Sequence, residues 1–163
     1  MTSSAPAAAT PAEVLAALED RGETLAVAES LTGGLLAATL VNVPGASLVF
    51  RGGLIVYATD LKATLAGVPA DLLDDVGPVH PDVAAAMAEG ARVRCKADWG
   101  VSTTGVAGPD PQHGIDPGTV YIAIAGPRRD VRRLDLSGSR AAIRAETVAA
   151  VLNLLTATLD LCA

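Results

Sequence analysis

Apolar positions along the chain switch repeatedly between two periods. Over 11–21 they recur at helical spacing (Val14, Leu15, Leu18), and Gly22 follows, so the pattern predicts a helix stopped by glycine. Residues 24–28 form a short buried strand. The helical period returns over 33–41 and is punctuated by Pro44-Gly45. A longer strand is expected over 49–58, with Gly52-Gly53 marking a bulge or a close approach. Two short helices follow at 60–66 and 70–75. A clear helix spans 81–97, with Pro81 in its first turn and Asp82 at its positive end. A strand at 99–103, a Gly/Pro-rich loop at 105–118, two strands at 119–125 and 131–136 near enough for a hairpin, and a last helix at 139–161 complete the chain. Alternating helices and strands ending in a hairpin predict one α/β domain, a mixed sheet with helices on both faces.

Composition narrows the picture. The chain has 163 residues, half of them hydrophobic but only 2% aromatic, so its core must be built from Ala, Val, Leu and Ile. A net charge of −6 with scattered basic residues argues against a nucleic-acid surface. Residues 1–10, rich in Ala, Ser and Pro, lack the charge and apolar core of a signal peptide and read as a disordered tail before a domain at 11–163. No apolar run approaches the roughly 20 residues of a membrane span. Cys95 and Cys162 lack metal-site spacing and suit a reducing, cytoplasmic setting. His80, before Pro81, reads as a local structural feature, and His113 as a solvated loop residue.

Candidate chemistry gathers at four places. Ala28-Glu29-Ser30-Leu31-Thr32-Gly33-Gly34 lies between a strand and a helix, where a hydroxyl on a glycine-opened turn can act as nucleophile beside backbone N–H groups. Ser30 or Thr32 could equally be a simple helix cap. Tyr57 and Lys62, five positions apart, offer a phenol and an amine. Lysine is a base only if its pKa falls towards neutrality, and the alternative is a surface lysine beside an edge tyrosine. Lys62 and Lys96 are the only lysines in the chain, and Lys96 ends a helix, where a cation is expected. The segment Ser102–Pro109, with Thr104 and Gly105, can present hydroxyls and N–H groups to a ligand, or be a plain connector. Arg140 and Arg144 share the apolar stripe of the last helix and could hold a phosphate or pair with an acid.

Together these segments resemble the CinA C-terminal domain family, whose stand-alone members are nicotinamide-nucleotide amidases. The resemblance is carried by Ala28–Gly34, Tyr57 with Lys62, Thr104–Pro109, Pro117-Gly118-Thr119-Val120, and Gly138-Ser139-Arg140 with Arg144. It implies a single three-layer α/β/α domain with a mixed, mostly parallel sheet. It also implies metal-independent hydrolysis of the carboxamide of nicotinamide mononucleotide, without a cofactor. Ser30 would be the nucleophile and Lys62 and Tyr57 its proton-handling partners. Thr32, Gly33, Gly34, Thr104, Gly105, Arg140 and Arg144 are the expected substrate contacts, the two arginines by inference from the helix stripe. The chain departs from the family at Leu31 (usually Cys), Ala58-Thr59 (usually Ser-Asn), His80 (usually Ser) and the 110–118 loop, which lacks the usual lysine. The N-terminal domain of many relatives has no room here. A silent nucleotide-binding module and an amidase for another small amide are the alternatives. The expected partner is a small nucleotide rather than nucleic acid or membrane, and Ala-rich helix faces could support a homo-oligomer.

Overall fold

The computed structural model describes residues 8–160 and 162. Its elements run α1 (Pro11–Arg21), β1 (Leu25–Glu29), α2 (Leu35–Val41), a 3₁₀ turn (Ala46–Leu48), β2 (Phe50–Ile55), α3 (Thr59–Thr64), α4 (Ala70–Val76), α5 (Pro81–Arg94), β3 (Trp99–Gly105), β4 (Thr119–Ala125), β5 (Asp130–Asp135) and α6 (Arg140–Asp160). The sheet order is β2-β1-β3-β4-β5. β1 pairs in parallel with β2 and β3, whereas β4 is antiparallel to both β3 and β5. Four strands thus point one way and β4 alone runs against them.

Strand alternation sorts large and small residues to opposite faces. Leu25 and Val27 of β1, Trp99 and Val101 of β3 and Val120, Ile122 and Ile124 of β4 form one core with α1, α2 and α6. Ala26 and Ala28 look the other way, towards α3, α4 and α5, and Ala123 and Ala125 meet Ala84 and Ala88 of α5. Small side chains on that face let α5 settle close to the sheet. α5 also packs tightly against the segment after α3: a Cβ at Gly90 would stand 1.7 Å from the Ala66 carbonyl oxygen. With helices on both faces, the three-layer expectation holds.

Local signals explain most boundaries. Thr10 caps α1 through a reciprocal box with Glu13, and Gly22 ends it in the left-handed region. Thr10 and Ala9 are therefore anchored, Ala9 also donating its N–H to Asn153 Oδ1 at 2.8 Å. That shortens the expected tail, whose residues 1–7 lie outside those described. His80 caps α5, its Nδ1 accepting the Asp82 N–H at 3.2 Å. β2 is shorter than expected: its last ladder bond runs from the Val56 N–H to the Glu29 carbonyl at 2.9 Å, and Tyr57 and Ala58 lie beyond it. The bulge expected near Gly52 is present, the register shifting where Ala26 pairs with Gly52. α6, 21 residues long with an 18-residue stretch of mean hydropathy 1.3, is long and apolar enough to cross a membrane, which corrects the expectation that no run is. Its apolar stripe (Ile143, Val148, Val151, Leu152, Leu155, Leu159) nevertheless packs into the core. The expected last residue of that helix, 161, lies outside those described.

Candidate active site

Parallel strands β1, β2 and β3 end side by side, and the chain leaves each at the same edge, the usual place for ligands in open α/β sheets. Ser30 follows β1. Its N–H donates to the Thr103 carbonyl at 3.0 Å, prolonging the ladder by one residue. Its carbonyl then accepts the Gly33 N–H at 3.0 Å, closing a turn. Gly33 and Gly34 both have positive φ (57° and 102°), which makes glycine the fitting residue at each.

Lys62 reaches this turn from α3. It is 1% exposed, so its amine lies in the interior. Nζ donates to Val56 O at 2.8 Å and Tyr57 O at 3.4 Å, and stands 2.9 Å from Ser30 Oγ. It joins no ion pair among the described residues. Burial without a carboxylate partner penalises the charged form and pulls its pKa from 10.5 to about 8. The amine can thus be neutral near physiological pH. Two N–H bonds would go to the carbonyls, leaving the lone pair for the Ser30 hydroxyl.

A cleft lined by Ser30, Leu31, Tyr57, Gly105, Ala107, Gln112 and Arg140 opens over the Ser30 hydroxyl. Arg140 donates to Gly108 O and to Tyr57 Oη, both at 2.8 Å. The phenol is thereby bonded to Arg140 instead of to the Ser30–Lys62 pair, and Tyr57 is half exposed at the cleft wall. Tyr57 therefore touches Lys62 through its backbone carbonyl, and its hydroxyl serves the wall.

Several expected contacts lie elsewhere. The Thr32 hydroxyl is buried against that of Thr103 at 2.7 Å, and Thr104 Oγ1 donates to Pro78 O at 2.7 Å, tying β3 to the start of α5. Arg144 donates Nε to Leu31 O at 2.9 Å and a terminal N–H to Thr32 O at 2.8 Å, so its guanidinium braces the Ser30 turn. The first amides of α2 are not free to hold an oxyanion. Leu36 N–H and Ala37 N–H donate to the carboxylate of Glu29 at 2.9 and 3.0 Å. Of the turn's N–H groups, those of Leu31, Thr32 and Gly34 lack an acceptor among the described residues, and Leu31 belongs to the cleft wall.

Sequence reasoning missed Glu29, Thr103 and Gln112. Glu29 had a signal, an acid closing a fully buried run. Thr103 and Gln112 had none beyond neighbouring hydroxyls and a polar loop. Among the described residues no group of three His, Cys, Asp or Glu could hold a metal ion.

The profile of the family described as CinA C-terminal domain matches residues 7–159. A CinA-like protein of Frankia casuarinae is 51% identical over 143 residues, covering 87% of this chain and 33% of the relative. A CinA-like protein of an Anaeromyxobacter species is 48% identical over 148 residues, covering 89% of this chain and 36% of the relative. The chain thus spans about a third of the length of these curated relatives. Among solved structures, the competence/damage inducible protein CihA of Agrobacterium tumefaciens superposes with a TM-score of 0.87 at 30% identity, over 92% of this chain and 93% of its own. A competence-damaged protein (CinA) superfamily protein of Enterobacter cloacae gives 0.88 at 28% identity, over 98% and 99%. With a family profile spanning nearly all of the domain and half of the aligned residues shared with a relative, this chain belongs to the CinA C-terminal domain family.

Proposed function

We propose that the chain is an amidase that hydrolyses the carboxamide of nicotinamide mononucleotide to nicotinic acid mononucleotide and ammonia. The observation that carries this reading is the buried amine of Lys62, 2.9 Å from Ser30 Oγ, with a pKa lowered to about 8. A lysine kept as a structural cation would have a carboxylate beside it, whereas this one has two carbonyls and a hydroxyl.

In the reaction, neutral Lys62 takes the Ser30 proton as Oγ bonds to the carboxamide carbon. The carbonyl oxygen becomes an oxyanion beside the Leu31 N–H, and one such donor is typically worth about 3–4 kcal/mol. Lys62 then protonates the nitrogen, the C–N bond breaks, and ammonia leaves an ester on Ser30. Water, losing its proton to Lys62, attacks the ester carbon. The C–Oγ bond breaks, Oγ recovers the proton, and the carboxylate product departs. Arg140, on the cleft wall with two of its N–H groups engaged, keeps others for the nucleotide phosphate.

Purified protein incubated with nicotinamide mononucleotide should release ammonia, and Ser30→Ala should release none while still binding the nucleotide. Binding without release by the wild type would instead support a silent nucleotide-binding module.

A further inference from the structure

Arg144 is the unexpected participant at the Ser30 turn. It comes from α6, more than a hundred positions away, and places two N–H groups on the consecutive carbonyls of Leu31 and Thr32. It joins no ion pair among the described residues. Each peptide unit is planar and trans, so fixing its carbonyl fixes its N–H in the opposite direction. Arg144 holds the Thr32 carbonyl, which sets the Gly33 N–H. That N–H holds the Ser30 carbonyl at 3.0 Å, which in turn sets the Leu31 N–H. The second bond, from Nε to the Leu31 carbonyl, pins the peptide between these two. Leu31 is 3% exposed, its N–H has no acceptor among the described residues, and it borders the cleft with Ser30. Unpaired buried backbone donors are rare in folded proteins. One placed directly after a nucleophile has a use when an oxyanion forms.

We propose that Arg144 is a positioning residue that locks the Ser30–Gly33 turn so that the Leu31 N–H faces the oxyanion of the tetrahedral intermediate. This deepens the amidase reading and rests on it. A lysine would keep the charge but is a point donor, and cannot hold two carbonyls in the fixed fork of a guanidinium.

The test compares wild type, Arg144→Met and Arg144→Lys on two substrates: nicotinamide mononucleotide, followed by ammonia, and p-nitrophenyl acetate, followed by the burst of p-nitrophenol from Ser30 acylation. Both variants should lose roughly 10- to 100-fold in kcat, because a misdirected donor approaches the loss of one. Affinity for nicotinamide mononucleotide, measured on a Ser30→Ala background, should stay within about twofold. Methylguanidinium should restore part of the activity of Arg144→Ala, which general unfolding would not allow. If Arg144→Met fails to fold, Arg144→Lys carries the same comparison. Wild-type kcat in a folded variant, or loss of nucleotide affinity in proportion to activity, overturns the proposal. A wild type that reacts with the ester but not the nucleotide refutes the substrate alone, and the ester burst still decides the role of Arg144. A wild type inert to both removes the nucleophile and the proposal with it.

Discussion

Burying Lys62 should leave a signature in the pH dependence of folding. The amine is 1% exposed and its pKa falls from 10.5 to about 8 because the charged form loses its water. A lysine depressed in the folded state binds its proton more weakly there than in the unfolded chain. Between about pH 8 and 10.5 the unfolded chain holds a proton that the folded protein has shed, so stability rises with pH across that window. From pH 7 to pH 10 the gain from this one group is about 2–3 kcal/mol, each pKa unit being worth about 1.4 kcal/mol. Other groups titrate in the same range, so the reading is the difference between wild type and Lys62→Met, which keeps the volume and removes the titration. Urea unfolding of both proteins at pH 7 and pH 10 measures it. The wild type should gain on the variant by about 2 kcal/mol or more. Parallel pH profiles would mean that the amine is not desolvated in the folded protein, and the base assigned to Ser30 would go with it.

The same titration should govern turnover: activity should climb through an apparent pKa near 8 as Lys62 loses its proton, and a flat profile between pH 6.5 and 9 would contradict its role as base. Tyr57→Phe should keep most of kcat and raise the Michaelis constant a few-fold, since the phenol bonds Arg140 and not the dyad; a loss of kcat beyond about a hundredfold would return the hydroxyl to proton transfer. Glu29→Ala should lower stability by about 2–4 kcal/mol in urea unfolding, leaving the Leu36 and Ala37 N–H groups unpaired in the interior, while Glu29→Gln, which keeps one acceptor oxygen, should cost less. Gly90→Ala should destabilise by about 1–3 kcal/mol by pushing α5 off the Ala66 carbonyl, seen as a lower urea midpoint.

Much of this molecule could be read from its chain, and the divisions are physical. α1 was legible to the residue, because Pro11 and Gly22 mark both ends and Val14, Leu15 and Leu18 mark the face. Ser30 and Lys62 were legible as chemistry because each stands at a strand exit or just beyond one, where topology must bring them near the same edge. What a side chain does after arriving there depends on partners distant in sequence. Arg144 shares the stripe of α6, which aims it inward, yet only the fold shows that the inward target is the pair of carbonyls at Leu31 and Thr32. Thr104 was expected to face a ligand because it lies near the glycine loop; strand alternation sends it to the α5 face with Ser102, whose hydroxyl bonds the Ala84 carbonyl at 2.6 Å. Thr103, one position away, turns to the Ser30 side. A one-residue change of parity is invisible where three hydroxyl residues run together.

The central claim is a covalent reaction at Ser30 driven by the amine of Lys62, and mass spectrometry of acid-quenched mixtures with nicotinamide mononucleotide tests it most directly. The account predicts an ester-linked nucleotide adduct on the peptide containing Ser30, formed with loss of ammonia, absent from Ser30→Ala and strongly reduced in Lys62→Met. Steady ammonia release from wild type, with no adduct at any quench time and with Ser30→Ala still active, would contradict it.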